Sequence, residues 1–246
     1  MININKIKLM LPKLHVMSGI GGDFVGADWS IDYSLNLDDE FNEDVAELGL
    51  AINFLSAAVR KSDLPAIMCA LVRVRGRSNI AEGFFANIVE DLDRVGWSEG
   101  GRLRDVPKTS AVPEIYELCK SYMFDFKGFN ELKFVMPCLY ELSGLKKGFF
   151  SENWKIDYTS NLDGEFSGEV ADFQMHLDAL DEAVRINDLV AVKYALAMAR
   201  SSSRALSDFF ERICDDIENI GWADDRPWAD IPEDYELPAS YNYSGK

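Results

Sequence analysis

The chain has 246 residues, 48% of them hydrophobic, and carries 42 acidic against 25 basic side chains for a formal charge of −17. That apolar share supports a buried core and excludes a disordered chain, while the charge repels nucleic-acid phosphates and anionic lipid headgroups and attracts basic partners. Cys69, Cys119, Cys138 and Cys214 lack C-x-x-C spacing and no apolar run reaches the ~18 residues of a membrane span, so the expectation is a soluble cytoplasmic protein without metal or cofactor.

Along the chain, an apolar segment at Leu9–Met17 predicts a helix that Pro12 starts or kinks. Pro12, Lys13 and His15 interrupt it, which argues against a secretion signal. Gly19-Ile-Gly21-Gly22 follows, without the Lys or the strand–helix context of a phosphate loop. Trp29-Ser-Ile-Asp-Tyr alternates in polarity and predicts one short strand. Val45, Leu48, Ile52, Leu55 and Val59 step by three and four, placing them on one helical face. Asp63 is positioned to cap a helix at Leu64–Val74. A further helix carries Ile80, Phe84, Ile88, Leu92 and Val95, with Gly96 as a left-handed residue just past its end. Phe124–Asn130 reads as connector.

Everything after that connector repeats what came before. Shifted by 125 positions, Trp29–Pro107 matches Trp154–Pro232 without a gap, at about 30 identities in about 79 positions. Trp29, Ile31, Asp32, Tyr33, Asn36, Leu37, Asp38, Glu40 and Phe41 align with Trp154, Ile156, Asp157, Tyr158, Asn161, Leu162, Asp163, Glu165 and Phe166. Pro12, Leu14, Ser18 and Gly19 match Pro137, Leu139, Ser143 and Gly144, so the copies span about 9–112 and about 134–237. The apolar stripe recurs as Val170, Phe173, Leu177, Leu180 and Val184, the cap as Asp188 and the closing glycine as Gly221. The expected fold is therefore mainly α: an internal duplication of a three- to four-helix unit, residues 1–123 and 124–246, packed with pseudo-two-fold symmetry and possessing at most one short strand per copy.

No catalytic constellation stands out. His15 and His176 lack a neighbouring nucleophile motif, and acids are too abundant for spacing to single out a pair. The shared Asp-Tyr-x-x-Asn-Leu-Asp-x-Glu-Phe is similar to the middle of a calcium loop. Its outer ligand positions are Thr159 and Val170 in the second copy and Ser34 and Val45 in the first, so Asn and Asp are better read as caps of a helix beginning near Phe41.

Charge distribution carries more. Between Leu14 and Val59 there are nine acids, from Asp23 to Glu47, and no Lys or Arg. Glu152 to Glu182 repeats this with Lys155 as the one interruption, and a third run holds Asp215, Asp216, Glu218, Asp224 and Asp225. Arg73, Arg75 and Arg77 form a basic knot in the first copy, expected to bridge to the other copy. The candidate contact residues for a basic protein partner are Asp38, Asp39, Glu40, Glu43, Asp44, Asp163, Glu165, Glu169, Asp224, Asp225 and Trp228, with Tyr235 and Tyr241 as further exposed aromatic anchors. A small acidic helical chain with two copies and the Trp-x-Ile-Asp-Tyr and Gly-Trp motifs resembles two-domain immunity proteins of bacterial polymorphic-toxin systems. The resemblance implies a cytoplasmic inhibitor that occludes the basic substrate channel of a cognate toxin, with no nucleic acid or membrane as partner and no catalysis. A helical adaptor or scaffold, and an enzyme with a carboxylate site between the copies, are the alternatives.

Overall fold

The computed structural model describes residues 2–20, 24, 29–105, 122, 124, 126–143, 154–222, 231–232, 234–241 and 243. It is mainly helical: α1 Lys6–Ser18, α2 Leu37–Lys61, α3 Leu64–Trp97, α4 Leu132–Leu142, α5 Leu162–Ile186 and α6 Leu189–Gly221. Short 3-10 turns lie at Arg102–Asp105, Phe129–Glu131 and Ala239–Tyr241.

The stripes predicted for α2 and α5 are the buried faces. Val45, Leu48, Ile52, Leu55 and Val59 are each at most 5% exposed, as are Val170, Phe173, Leu177, Leu180 and Val184. Asp38, Asp39 and Glu40 occupy the first turn of α2 and Arg60 and Lys61 its last, both favourable to the helix dipole. A two-residue turn then reverses the chain. Ser62 is left-handed at φ 52°, and the Asp63 N–H donates to Ala58 O while the Asp63 carboxylate accepts the Ala66 N–H. Asn187 (φ 59°) and Asp188 repeat the turn after α5, where Asp188 accepts the Val190 and Ala191 N–H groups.

Three expectations are corrected here. The helix predicted at Leu64–Val74 and the one carrying Ile80 to Val95 are a single helix, α3, and their counterparts are likewise fused in α6. No proline separates them, and a mid-helix glycine such as Gly76 costs only about 1 kcal/mol, less than tertiary packing returns. Gly96 is inside α3 and not left-handed; a Cβ there would meet Leu196 Cδ2 at 2.3 Å, so glycine serves close approach. Gly221 is likewise the last residue of α6. Finally, Trp29–Tyr33 is no strand, and none exists among the described residues.

The chain forms two compact units, each drawing segments from both residues 1–123 and residues 124–246. Unit 1 comprises Met1–Phe41, Gly83–Phe124 and Ser167–Ser207; unit 2 comprises Asn42–Glu82, Asp125–Phe166 and Asp208–Lys246. In unit 1 the core is built on Ile4, Ile7, Leu11, Leu14 and Phe85, with Phe85 edge-on to Phe41 at 5.4 Å and to Phe173 at 5.6 Å. Phe84 is half-buried against Phe41 and Phe85. In unit 2, Phe129 lies 5.0 Å from both Phe166 and Phe209, and Phe210 is 5.5 Å from Phe166. Such edge-to-face pairs add ~0.5–1.5 kcal/mol each beyond their buried area. Phe126 and Phe129, expected in a connector, are thus part of this ring cluster.

Candidate interaction surface

The loops before α2 and α5 are held by buried carboxylates. Asp91, on the inner face of α3 and 0% exposed, accepts the Ser30 N–H (2.8 Å), the Ile31 N–H (3.2 Å) and the Tyr33 hydroxyl (2.8 Å). Asp216 on α6 does the same for Lys155 N–H (2.9 Å), Ile156 N–H (3.0 Å) and Tyr158 OH (2.9 Å). This explains the missing strand: the amide groups that a neighbouring strand would pair go to a side chain instead. Burial pushes the Asp216 carboxyl up, opposed by the hydrogen bonds it accepts, and drives the Tyr33 and Tyr158 hydroxyls well above their ordinary range. Trp29 closes the first loop, its ring 6.2 Å from His15 and its indole N–H donated to Phe24 O. Tyr140 stands 6.2 Å from Trp154 in the equivalent place.

A second device ties α1 to α2. Asp38 accepts the Ile4 N–H (2.5 Å), the Asn5 N–H (3.2 Å) and the Asn5 side-chain amide (2.7 Å). Asn5 returns the favour through its Oδ1, which accepts the Leu37 N–H at 3.1 Å. Each side chain therefore satisfies donors at the start of the other's helix, a reciprocal form of capping. Around Asn130, Asp163 accepts Gly128 N–H, Asn130 N–H and the Asn130 amide, while Asn130 accepts the Leu162 N–H. Asp38 and Asp163, expected as helix caps and contact residues, thus cap the preceding helical segment and not their own.

The remaining candidates divide. Asp39 and Glu43 are exposed and four residues apart on α2; Glu40 and Asp44 are half-buried. Asp39 accepts from the Asn36 amide at 2.5 Å. Arg77 approaches Asp44 at 3.8 Å and Glu47 at 3.6 Å. Burial raises the Asp44 carboxyl, Arg77 works against this, and Glu43 and Glu47 push it further up. Glu165 is paired with Arg212 at 2.8 Å, and Glu169 is half-buried on α5. Asp224, Asp225 and Trp228 lie outside the described residues. Tyr241 is not an exposed anchor: the C-terminal segment folds back on the α2–α3 turn, where its hydroxyl donates to Asp63 at 2.7 Å and its ring meets Phe54 at 5.3 Å. Tyr235 is half-buried.

The arginine knot is engaged within unit 2. Arg75 pairs with Glu218 at 2.5 Å, Arg77 with the acids just named, and Arg73 lies 5.0 Å from the Tyr243 ring. His176 Nδ1 is 3.1 Å from Ser202 Oγ, whose own proton is directed to Met198 and Ala199 carbonyls, so the imidazole donates here. Cys214 is buried, donates to Asn79 Oδ1, and is pushed up to about 11 by burial, an unreactive thiol. Among the described residues no group of three or more His, Cys, Asp or Glu side chains is arranged to hold a metal ion.

Sequence reasoning missed two pairs, Asp91 with Asp216 and Asn5 with Asn130. The first had a signal: an acid common to both copies sits between Ile88 and Leu92 on the apolar stripe, where an exposed charge has no place. The second lay outside the aligned span, although the 125-residue offset holds for it. Set against known proteins, the chain matches no family model, no curated protein and no solved structure.

Proposed function

We propose that the chain is an internal duplication serving as a binding protein, which covers a basic partner protein with the carboxylates that open α2, in the way immunity proteins occlude their toxins. The duplication draws support from helices that start 125 positions apart, α2 and α5 at Leu37 and Leu162, α3 and α6 at Leu64 and Leu189. Matching anchors at Asp91 and Asp216, and matching clasps at Asn5–Asp38 and Asn130–Asp163, point the same way.

One observation carries the binding reading. Six acids (Asp38, Asp39, Glu40, Glu43, Asp44 and Glu47) crowd the first three turns of α2, and Asp44 is held toward its protonated form partly by its like-charged neighbours. Self-repulsion of that kind is relieved when a cationic surface docks, and it steers that surface inward from a range of ~8–10 Å at physiological salt. The test is a D39N/E43Q/D44N variant, which leaves the Asp38 clasp intact. Against the product of a neighbouring toxin gene, its association rate should fall about 3- to 10-fold at low salt, with dissociation changing less. Unchanged association kinetics at low salt would remove α2 as the docking element.

A further inference from the structure

Resting on the duplication just proposed, we infer that the two copies have exchanged a helical hairpin, residues 42–82 for residues 167–207, and that complementary charge and size at the start of each copy specify the exchange. Each compact unit takes its first and last segments from one copy and its middle segment from the other. The contacts repeat this in detail. In unit 1, Arg200 of the second copy pairs with Asp93 of the first and lies over the Trp97 ring, while Leu196 fills the space beside Gly96. In unit 2 the equivalent positions reverse the copies: Arg75 pairs with Glu218 and lies over Trp222, with Leu71 beside Gly221.

Equivalent residues that have stayed alike cannot choose between partners; residues that differ can. Lys6, at the start of α1, sits 2.5 Å from Asp178 and 3.9 Å from Asp181. Its counterpart is Glu131, of opposite charge, which accepts from Ser56 at 2.8 Å and pairs with Arg60 at 3.1 Å. Had each copy kept its own hairpin, Lys6 would face Asn53, Ser56 and Arg60, and Glu131 would face Asp178 and Asp181. The first arrangement loses both carboxylates and the second sets like charges together, a penalty on the wrong pairing.

Size makes the same choice independently. Phe126 packs over Gly49, where a Cβ would lie 3.3 Å from its ring. The residue equivalent to Gly49 is Gln174, whose Oε1 instead accepts the Asn3 N–H and whose amide donates to Asp178 at 2.9 Å. A glutamine under Phe126 would occupy the ring's place.

The exchange is testable on the full chain with its four native cysteines replaced. The pairs D93C/R200C and R75C/E218C join exchanged neighbours, whereas D93C/R75C joins positions that would be neighbours without exchange. After refolding, a short thiol crosslinker should link the first two nearly completely and the third at least 10-fold less. Equal linking of D93C/R75C overturns the exchange. Markedly unequal linking of the two exchanged pairs counts against equivalent copies, and so against the duplication, while leaving the exchange standing.

For the charge code, K6E/E131K in the D93C/R200C background should cut linking severalfold and raise it in the D93C/R75C background. If that variant does not fold, the neutral K6Q/E131Q variant should fold and give intermediate yields. Parental yields in every folded variant would overturn the charge code.

Discussion

Removing the Asp216 carboxylate should destabilise the protein by an amount that can be worked from its three donors. Ile156 N–H and Tyr158 OH are buried and have no route to water once Asp216→Ala removes their acceptor, whereas Lys155 is exposed and its N–H is part-buried. Two orphaned donors cost about 1–3 kcal/mol each, and relief of the desolvated carboxylate returns part of that, leaving a net loss of about 2–4 kcal/mol. Tyr158→Phe removes one bond while leaving the carboxylate its two amide donors, and should lose about 1 kcal/mol. Urea denaturation reads this as a midpoint shift of roughly 1 M for Asp216→Ala, and amide exchange at Ile156 should accelerate in parallel. A loss below about 0.5 kcal/mol, ordinary for a surface change, would refute the anchoring role. The pH dependence supplies a second check. A carboxyl whose folded pKa is raised above its unfolded value near 3.8 binds more protons folded than unfolded in between. Its contribution is therefore most favourable below 3.8 and diminishes as pH rises through the raised value. Asp216→Asn should remove that slope.

Two further outcomes follow from local geometry. Burial lowers the His176 pKa, opposed by Asp172, so its neutral form is favoured by folding; the stability this gives is present above 6.5 and lost as pH falls through the lowered value. His176→Asn should accordingly lose less melting temperature between pH 8 and pH 5 than the parent. Ser62 holds a left-handed backbone that costs an L-residue about 1–2 kcal/mol, so Ser62→Gly should raise stability by about 0.5–1 kcal/mol, and a lowered urea midpoint would contradict the turn described.

The helices were legible because apolar residues at steps of three and four mark a buried face whatever that face packs against. The stripe from Val45 to Val59 and its repeat from Val170 to Val184 needed no tertiary knowledge. The loop from Trp29 to Tyr33 was misread because its alternation reports extended backbone and is silent on who takes the amides; here Asp91, about sixty residues away, takes them. The exchange was invisible for a similar reason. A duplicated sequence makes each hairpin equally compatible, to first order, with either copy, and the choice rests on a few unlike pairs such as Lys6 and Glu131. Asp38 shows the limit on the functional side. Its place in an acidic run suggested a surface charge, while its partners, the N–H groups of Ile4 and Asn5, lie more than thirty residues earlier.

The two copies do not offer the same surface, and this narrows where a basic partner docks. Asp39 and Glu43, exposed on α2, have Gly164 and Gly168 as their equivalents on α5. Glycine in a helix interior costs about 1 kcal/mol relative to alanine, and a Cβ at Gly168 would meet nothing within 4 Å, so packing does not explain it. The acids common to both copies are those with structural duties, Asp38 and Asp163 in the clasps and Asp91 and Asp216 under the loops. Of the second copy's candidates, Glu165 is already held by Arg212, so a partner would have to break that pair to reach it. Docking through the first copy alone predicts that D39N/E43Q slows association while E165Q/E169Q does not. Equal slowing by both variants, measured at the same low ionic strength, would mean that the partner reads net charge and not the ridge on α2.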